Sequence, residues 1–141
     1  MQKRVLWCAL YACLGLTLAV VSSAQPGPID TRGWGVAKFI DHLRATGLRV
    51  HVVPSRADGH WGSTVYLSED PEATWHSFQH KSRNVESIGQ WRGAVWVEHL
   101  RPEGDTDWDV SPWGSNGCQI DRFVVFGDAR LVARVQEAFY R

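Results

Sequence analysis

Residues 119–140 read QIDRFVVFGDARLVARVQEAFY, and this stretch decides the predicted fold of the whole chain. Its first half ends in a continuous apolar run, which is typical of a central strand, and we predict a strand over 119–126. Gly127 breaks that strand, and Asp128 offers a helix cap. The second half repeats apolar residues at helical spacing, in a stripe formed by Leu131, Val135 and Phe139. We therefore predict an amphipathic helix over 129–140 that covers a sheet.

Upstream of this stretch, the same patterns predict a second helix and three further strands. Residues 31–46 carry an apolar stripe between a candidate cap, Asp30, and a candidate stop, Gly47. Period-two alternation or apolar content predicts strands over 48–52, 63–68 and 91–99. In the first of these strands, the alternation places Val52 on the inward face.

The order of these elements favours an α+β fold. Adjacent strands with little chain between them favour antiparallel pairing. We predict one four-stranded, mainly antiparallel sheet with the N- and C-terminal helices packed on one face. The apolar stripe of each helix needs a partner, and the apolar face of the sheet supplies it.

The 141 residues divide into an export segment and one domain. A basic start, an uncharged apolar run over 5–21 and small residues up to position 24 are the three parts of a secretory signal. We expect residues 1–24 to be a signal peptide, 25–29 a spacer and 30–141 a single α+β domain. An uncleaved N-terminal anchor is the alternative. Either way, we expect an exported protein, periplasmic or extracellular.

Composition narrows the classes of partner. Lys and Arg number 15 and Asp and Glu also 15, so the net charge of zero argues against a nucleic-acid binder or a polybasic membrane-surface protein. We expect no membrane association after signal cleavage, and a protein or a glycan as the partner. Arg outnumbers Lys twelve to three, which suggests a GC-rich bacterial genome. Cys118 alone follows the signal, so no internal disulfide can form, and we expect a small buried residue there.

The sharpest metal signal is a set of residues spaced four apart, Glu72, His76 and His80. Asp70 would cap a short helix over 71–80, and that helix would align the three side chains on one face. Two histidines at this spacing can bind one zinc ion, and a carboxylate can complete part of the site. The set lacks an HExxH core and a fourth ligand. A solvated helix face is therefore the alternative, and we expect no cofactor while keeping zinc open.

Tryptophan is the most unusual component, because eight occur and seven follow the signal. Exposed indoles can stack on sugar faces or hold apolar partners. We expect a candidate ligand-binding set around Trp96 on the outer face of the sheet, with Trp61, Trp75 and Trp113. The alternative is that the tryptophans cap the sheet and fix its loops.

Three short stretches of the sequence each resemble a stretch found in a known group of proteins. They are GLRV at 47–50, WRG at 91–93, and FGD at 126–128 leading into LVARV. Together they resemble a group of short, exported, uncharacterised bacterial proteins. The resemblance implies a shared structure and no particular activity.

The functional expectation follows from the scattered polar residues. We expect an exported, non-catalytic binding or accessory protein. The alternatives are a glycan- or peptide-binding module that uses tryptophan, and a small zinc-dependent hydrolase that uses the metal set.

Overall fold

The computed structural model describes residues 27–53, 64–74, 90–101 and 109–140. They form an α+β fold around an antiparallel sheet of five strands. In chain order, the elements are α1 (Val36–Ala45), β1 (His51–Val53), β2 (Thr64–Ser68), β3 (Ala94–His99), a 3-10 segment (Ser111–Asn116), β4 (Gly117–Ile120), β5 (Phe123–Gly127) and α2 (Ala129–Ala138). The order across the sheet is β1-β2-β3-β5-β4, so β1 and β4 are the edge strands.

The prediction of four strands is wrong because residues 119–126 contain a turn. Asp121 has a φ of 52°, and with Arg122 it reverses the chain between β4 and β5. Ile120 and Phe123 face each other across this turn. Aspartate tolerates the left-handed region better than most residues, so the turn needs no glycine. The apolar residues on both sides concealed it in the sequence.

The first helix begins later than predicted. Residues 31–35 are not helical, and Gly35 precedes the helix without a side-chain cap. Asp30, the expected cap, instead binds the guanidinium of Arg32 at 2.7 Å. Two glycines close to the start, Gly33 and Gly35, weaken helix formation there because they lose the most backbone entropy.

The end of α1 confirms the predicted stop at Gly47, which has a φ of +89°. The amide of Gly47 donates to the carbonyl oxygen of Arg44 at 3.0 Å. The amide of Leu48 donates to the carbonyl oxygen of Leu43 at 3.1 Å. These two bonds form the pattern that closes a helix on a left-handed residue. The chain therefore reverses at once, and Leu48 follows directly beside the last turn of the helix.

The start of α2 confirms Asp128 as its cap. The carboxylate accepts from the amide of Leu131 at 2.9 Å and from the amide of Gly93 at 3.1 Å. Glu69, between β2 and β3, pairs with Arg130 and with Arg134 of the same helix. These bonds fix the helix start against the sheet.

Buried apolar residues form two clusters. The first joins side chains of both helices to alternate residues of the sheet, and it includes Phe39, Leu43, Leu67, Val95, Val97, Phe123, Val125, Leu131 and Val135. The second uses the intervening residues of the strands, and it includes Val53, Tyr66, Trp91, Trp96, Val124 and Phe126. The period-two geometry of β3 and β5 assigns successive residues to opposite clusters.

The ends of the described domain meet. Pro28 and Tyr140 form an isolated antiparallel bridge, and the amide of Ile29 donates to the carbonyl of Phe139 at 2.7 Å. Each of α1 and α2 has ten residues. Across the described ranges, no helix has the length and apolar content that crossing a bilayer requires.

Candidate functional site

The proposed metal set falls mainly outside the described residues, because His76 and His80 lie there. Glu72 is exposed, and its amide donates to the Asp70 carboxylate at 2.9 Å, within a turn. In the part of the chain that the structure describes, no three His, Cys, Asp or Glu side chains are grouped to hold a metal ion. Zinc binding at the full set stays a prediction, and metal analysis of the purified chain is its test.

The tryptophan set is described at two of its four positions, since Trp61 and Trp75 lie outside the described residues. Trp96 and Trp113 both pack against Phe126, with ring centroids 5.2 Å and 4.5 Å from the phenyl ring. Trp96 is 3% exposed and belongs to the second cluster, while Trp113 is half-buried beside it. The structure thus brings these two residues together, but around an apolar cluster. A ligand-binding role for the set stays a prediction.

The free thiol of Cys118 lies buried in the first cluster. Burial raises the pKa of this thiol to about 12. A thiol reacts as a nucleophile through its thiolate, so the raised pKa makes Cys118 a poor nucleophile at neutral pH.

Two histidines are held by structural contacts. The Nε2 of His42 lies 2.7 Å from the carbonyl oxygen of Ala138 at the end of α2. The ring of His99 stacks on Phe123 with centroids 4.5 Å apart. Burial, and then the charge of Arg122, lower the pKa of His99 against the opposing effect of a nearby carboxylate. Both imidazoles therefore support packing.

A cleft of about 400 Å³ lies beside the edge strand β1. Its lining consists of Arg44, Leu48, Arg49, Val50 and His51. The floor is apolar because Leu48 and Val50 form it, and these two side chains are 5% and 3% exposed. The two arginines and the histidine are exposed around it. The cleft therefore combines an apolar base with a cationic rim, which suits a segment that carries both apolar and acidic groups.

The two arginines of this cleft have no carboxylate partner in the described ranges. The ion pairs found there join other residues, namely Arg32 to Asp30 and both Arg130 and Arg134 to Glu69. A guanidinium presents five N–H donors in a planar fork that matches a carboxylate. Arg44 and Arg49 therefore retain donors for a ligand.

Arg44 is fixed by the fold. It lies in the last turn of α1, and its Nε donates to the carbonyl oxygen of Val50 at 3.2 Å. This bond spans the reversal at Gly47 and directs the guanidinium over the segment that enters β1. The remaining N–H groups of Arg44 donate to no acceptor that the structure describes.

Val52 extends the apolar surface beyond the cleft, since its side chain is 45% exposed. It faces Leu67 of β2 across the strand pair, and that leucine is fully buried in the first cluster. Val52 thus lies on the predicted face of the strand, but the expectation that it is buried there is wrong. The reason is that, within the described ranges, β1 is an edge strand with a neighbouring strand on one side only.

A second depression of about 420 Å³ lies between the N-terminal segment and the β4–β5 turn, next to Tyr140. Its charges are already engaged: Arg32 pairs with Asp30, and the hydroxyl of Thr31 donates to the Asp121 carboxylate at 3.1 Å. This depression has less to offer a charged ligand than the cleft beside β1.

The sequence contains the elements of the β1 cleft without identifying it. Arg49 and His51 occupy alternate positions near the start of the first strand, a pattern also typical of a solvated strand face. Arg44 belongs to the preceding helix, and only the geometry of the reversal at Gly47 brings it to the same cleft.

Comparison with known proteins returns nothing similar: no family model, no curated protein and no solved structure matches the chain.

Proposed function

We propose that the chain is a small exported binding or accessory domain, and not an enzyme, that holds an acidic segment of a partner protein in the cleft beside β1. The observation that carries this proposal is the pair of exposed arginines, Arg44 and Arg49, on one apolar-floored cleft. Neither has a carboxylate partner within the described residues. Guanidinium groups bind carboxylates through charge-assisted hydrogen bonds, so an acidic ligand is the complementary one.

Three chemically capable side chains among the described residues serve the fold, which supports a non-catalytic role. Asp128 caps α2, and His42 contacts the carbonyl at the end of that helix. Cys118 is buried and protonated, with its pKa raised to about 12 by burial. Each of these groups is committed to a structural contact.

Both helices cover one face of the sheet in this proposal. Their contribution of side chains to a single cluster supports that arrangement. Helices packed on one face leave the edge of β1 accessible from the side. Export places the cleft where it can meet partners in the periplasm or outside the cell.

The expected affinity is modest. Exposed ion pairs contribute about 0.2–1 kcal/mol each, and the small apolar contact adds about 25 cal/mol per Å² buried. Because association also costs translational and rotational freedom, we expect a weak complex, with a dissociation constant no tighter than micromolar. Such an affinity suits a reversible accessory interaction.

Binding of fluorescently labelled poly-L-glutamate to the full chain, followed by anisotropy, tests the proposal. A mild non-ionic detergent is needed because residues 5–21 are apolar. The double variant Arg44→Gln/Arg49→Gln is expected to bind about tenfold more weakly. The matched control, Arg32→Gln/Arg101→Gln, removes the same charge elsewhere and is expected to bind within about twofold of the native chain.

Two results would contradict the proposal. One is the absence of poly-L-glutamate binding to the native chain. The other is an equal loss in both double variants, since net charge alone would then explain the binding.

A second candidate, glycan binding through tryptophan, is favoured by one observation at Trp113. Its ring is half-buried, so part of the indole stays accessible and could stack on a sugar face. Isothermal titration with soluble β-glucan and chitin oligosaccharides tests this candidate. A Trp113→Leu variant that binds each oligosaccharide as the native chain does would exclude stacking on this indole.

A further inference from the structure

The outer edge of β1 is open in the described structure. β1 pairs with β2 alone, in the register His51 to Ser68, Val52 to Leu67 and Val53 to Tyr66. An antiparallel strand with one neighbour directs the backbone groups of alternate residues away from that neighbour. Among the described residues, no backbone hydrogen bond reaches the outer side of β1.

The edge of β1 is only partly protected against pairing. Natural edge strands are kept very short, or are blocked by proline, by charged side chains or by a bulge. β1 has three residues, HVV, and Pro54 follows it in the sequence, so an added strand pairs with β1 and with the segment that enters it. The register of β1 with β2 is continuous, with no bulge. It therefore resembles the edges to which extended peptides add as further strands.

The two sides of β1 differ in chemistry. Val52 faces Leu67 of the first cluster, and Val53 faces Tyr66 of the second. Successive residues therefore face opposite sides of the sheet, and the exposed apolar surface of Val52 lies on one side only. His51 and Arg49 face the side of the sheet opposite to Val52. Over 48–51, buried residues alternate with exposed ones in the same way.

We infer that the acidic segment binds as an added β-strand along the outer edge of β1, with apolar and acidic side chains in alternation. This inference rests on the proposed function and specifies its binding mode. The apolar side chains of the added strand cover Val52, and the acidic ones face Arg49. Arg44, which lines the same cleft from the end of α1, receives a carboxylate from beyond the alternating stretch.

The peptide that binds this edge is an acidic segment of another protein, because its carboxylates complement the arginines of the cleft. The cleft has an exposed cationic rim with no described carboxylate in its lining. At about 3.3 Å per residue, a strand that spans residues 49–53 needs about five residues of its own. A seven-residue peptide therefore covers the edge with one residue to spare at each end.

The probe is a capped peptide of sequence VEVEVEV with short Gly-Ser ends for solubility, titrated into the full chain by calorimetry. Two N-methylated forms provide the decisive comparison, one methylated at every valine amide and the other at the internal glutamate amides. In an added strand, one set of amides points to β1 and the other points away. One form is expected to lose about tenfold in affinity, and the other to stay within about threefold.

A block isomer, VVVVEEE, has the same composition without the alternation and is expected to bind about tenfold more weakly. Val52→Asn replaces the exposed apolar side chain with a neutral polar one and is expected to weaken VEVEVEV binding. Tyr140→Asn, the same kind of change at another exposed apolar residue, is expected to leave binding unchanged.

Equal binding of both methylated forms, or of the block isomer, would overturn strand addition while leaving the acidic cleft in place. Failure of poly-L-glutamate to bind would remove the proposed function and this inference together. Sedimentation equilibrium gives a further outcome. If the native chain dimerises and Val52→Asn abolishes the dimer, the occupant is a second copy and the inference is wrong.

Discussion

The Nε of Arg44 donates to the carbonyl oxygen of Val50 at 3.2 Å, across the reversal that ends α1. This bond ties a helix terminus to the segment that enters the edge strand. It restricts the long arginine side chain before any ligand arrives, so less conformational entropy is lost on binding. The rest of the guanidinium fork stays available to a carboxylate.

Replacing Arg44 by lysine tests this positioning role. Lysine keeps the charge, but its single ammonium group cannot hold Val50 and present a planar fork to a ligand. Arg44→Lys is expected to weaken poly-L-glutamate binding about three- to fivefold by anisotropy. Arg49→Lys is the control, because no described hydrogen bond fixes Arg49, and it is expected to bind within about twofold of the native chain. Equal losses in the two variants would contradict the positioning role.

The cap at Asp128 predicts a loss of stability on substitution. Asp128→Ala removes the acceptor for the amides of Leu131 and Gly93, both of which lie at the junction of α2 and the sheet. The free energy of unfolding, measured in urea, is expected to fall by about 1–2 kcal/mol. Asp128→Asn keeps a capping oxygen and is expected to lose less. An alanine variant as stable as the native chain would show that the cap contributes nothing.

The same carboxylate predicts acid sensitivity. Burial raises the pKa of Asp128. Hydrogen bonds from the amides of Leu131 and Gly93, together with the charge of Arg130, lower it by more than burial raises it, so the net pKa lies below the ordinary 3.8. Its folded pKa is thus depressed. The stabilisation is fully present above about pH 4 and is lost as pH falls through the folded pKa. In urea titrations, the difference in the free energy of unfolding between the native chain and Asp128→Asn should shrink as pH falls below about 4, and a difference that stays constant would contradict this assignment.

Gly127 is predicted to be intolerant of a side chain. It has a φ of 150°, and a Cβ atom there would overlap the backbone of Ala94 and Val95. Gly127→Ala is therefore expected to destabilise the chain by several kcal/mol, or to prevent folding. Gly27→Ala is the matched control, since nothing lies within 4 Å of an added Cβ and its φ is not in the left-handed region. Thermal unfolding by circular dichroism compares the two, and similar midpoints would refute the close approach.

Cys118 predicts slow reaction with thiol reagents in the folded chain. Burial raises its pKa to about 12, so little thiolate forms at neutral pH. Iodoacetamide labelling, followed by peptide mapping of Cys118, is expected to be much slower in buffer than in urea. Since the folded pKa exceeds the ordinary 9.0, its contribution to stability is full below pH 9 and declines above it. Equal labelling in both conditions would contradict the burial.

Local signals explain what the sequence predicts well. The stop at Gly47 and the cap at Asp128 depend on a few neighbouring residues, and both are present as predicted. The apolar residues on both sides of Asp121 resemble one continuous strand, so the sequence pattern does not reveal the turn there. The β1 cleft depends on the hydrogen bond from Arg44 to Val50, which spans the chain reversal at Gly47. The exposure of Val52 depends on the order of the strands in the sheet, which contacts between distant parts of the chain determine.

Chemical-shift mapping tests the central claim most directly. The ¹⁵N-labelled full chain is titrated with the VEVEVEV peptide, and the backbone amides are followed. Saturable shifts centred on residues 49–53 and on Arg44, and absent from Asp121, Trp113 and Tyr140, are the predicted result. Shifts centred on Trp113 or Tyr140 instead, or no saturable shift at millimolar peptide, would contradict the account.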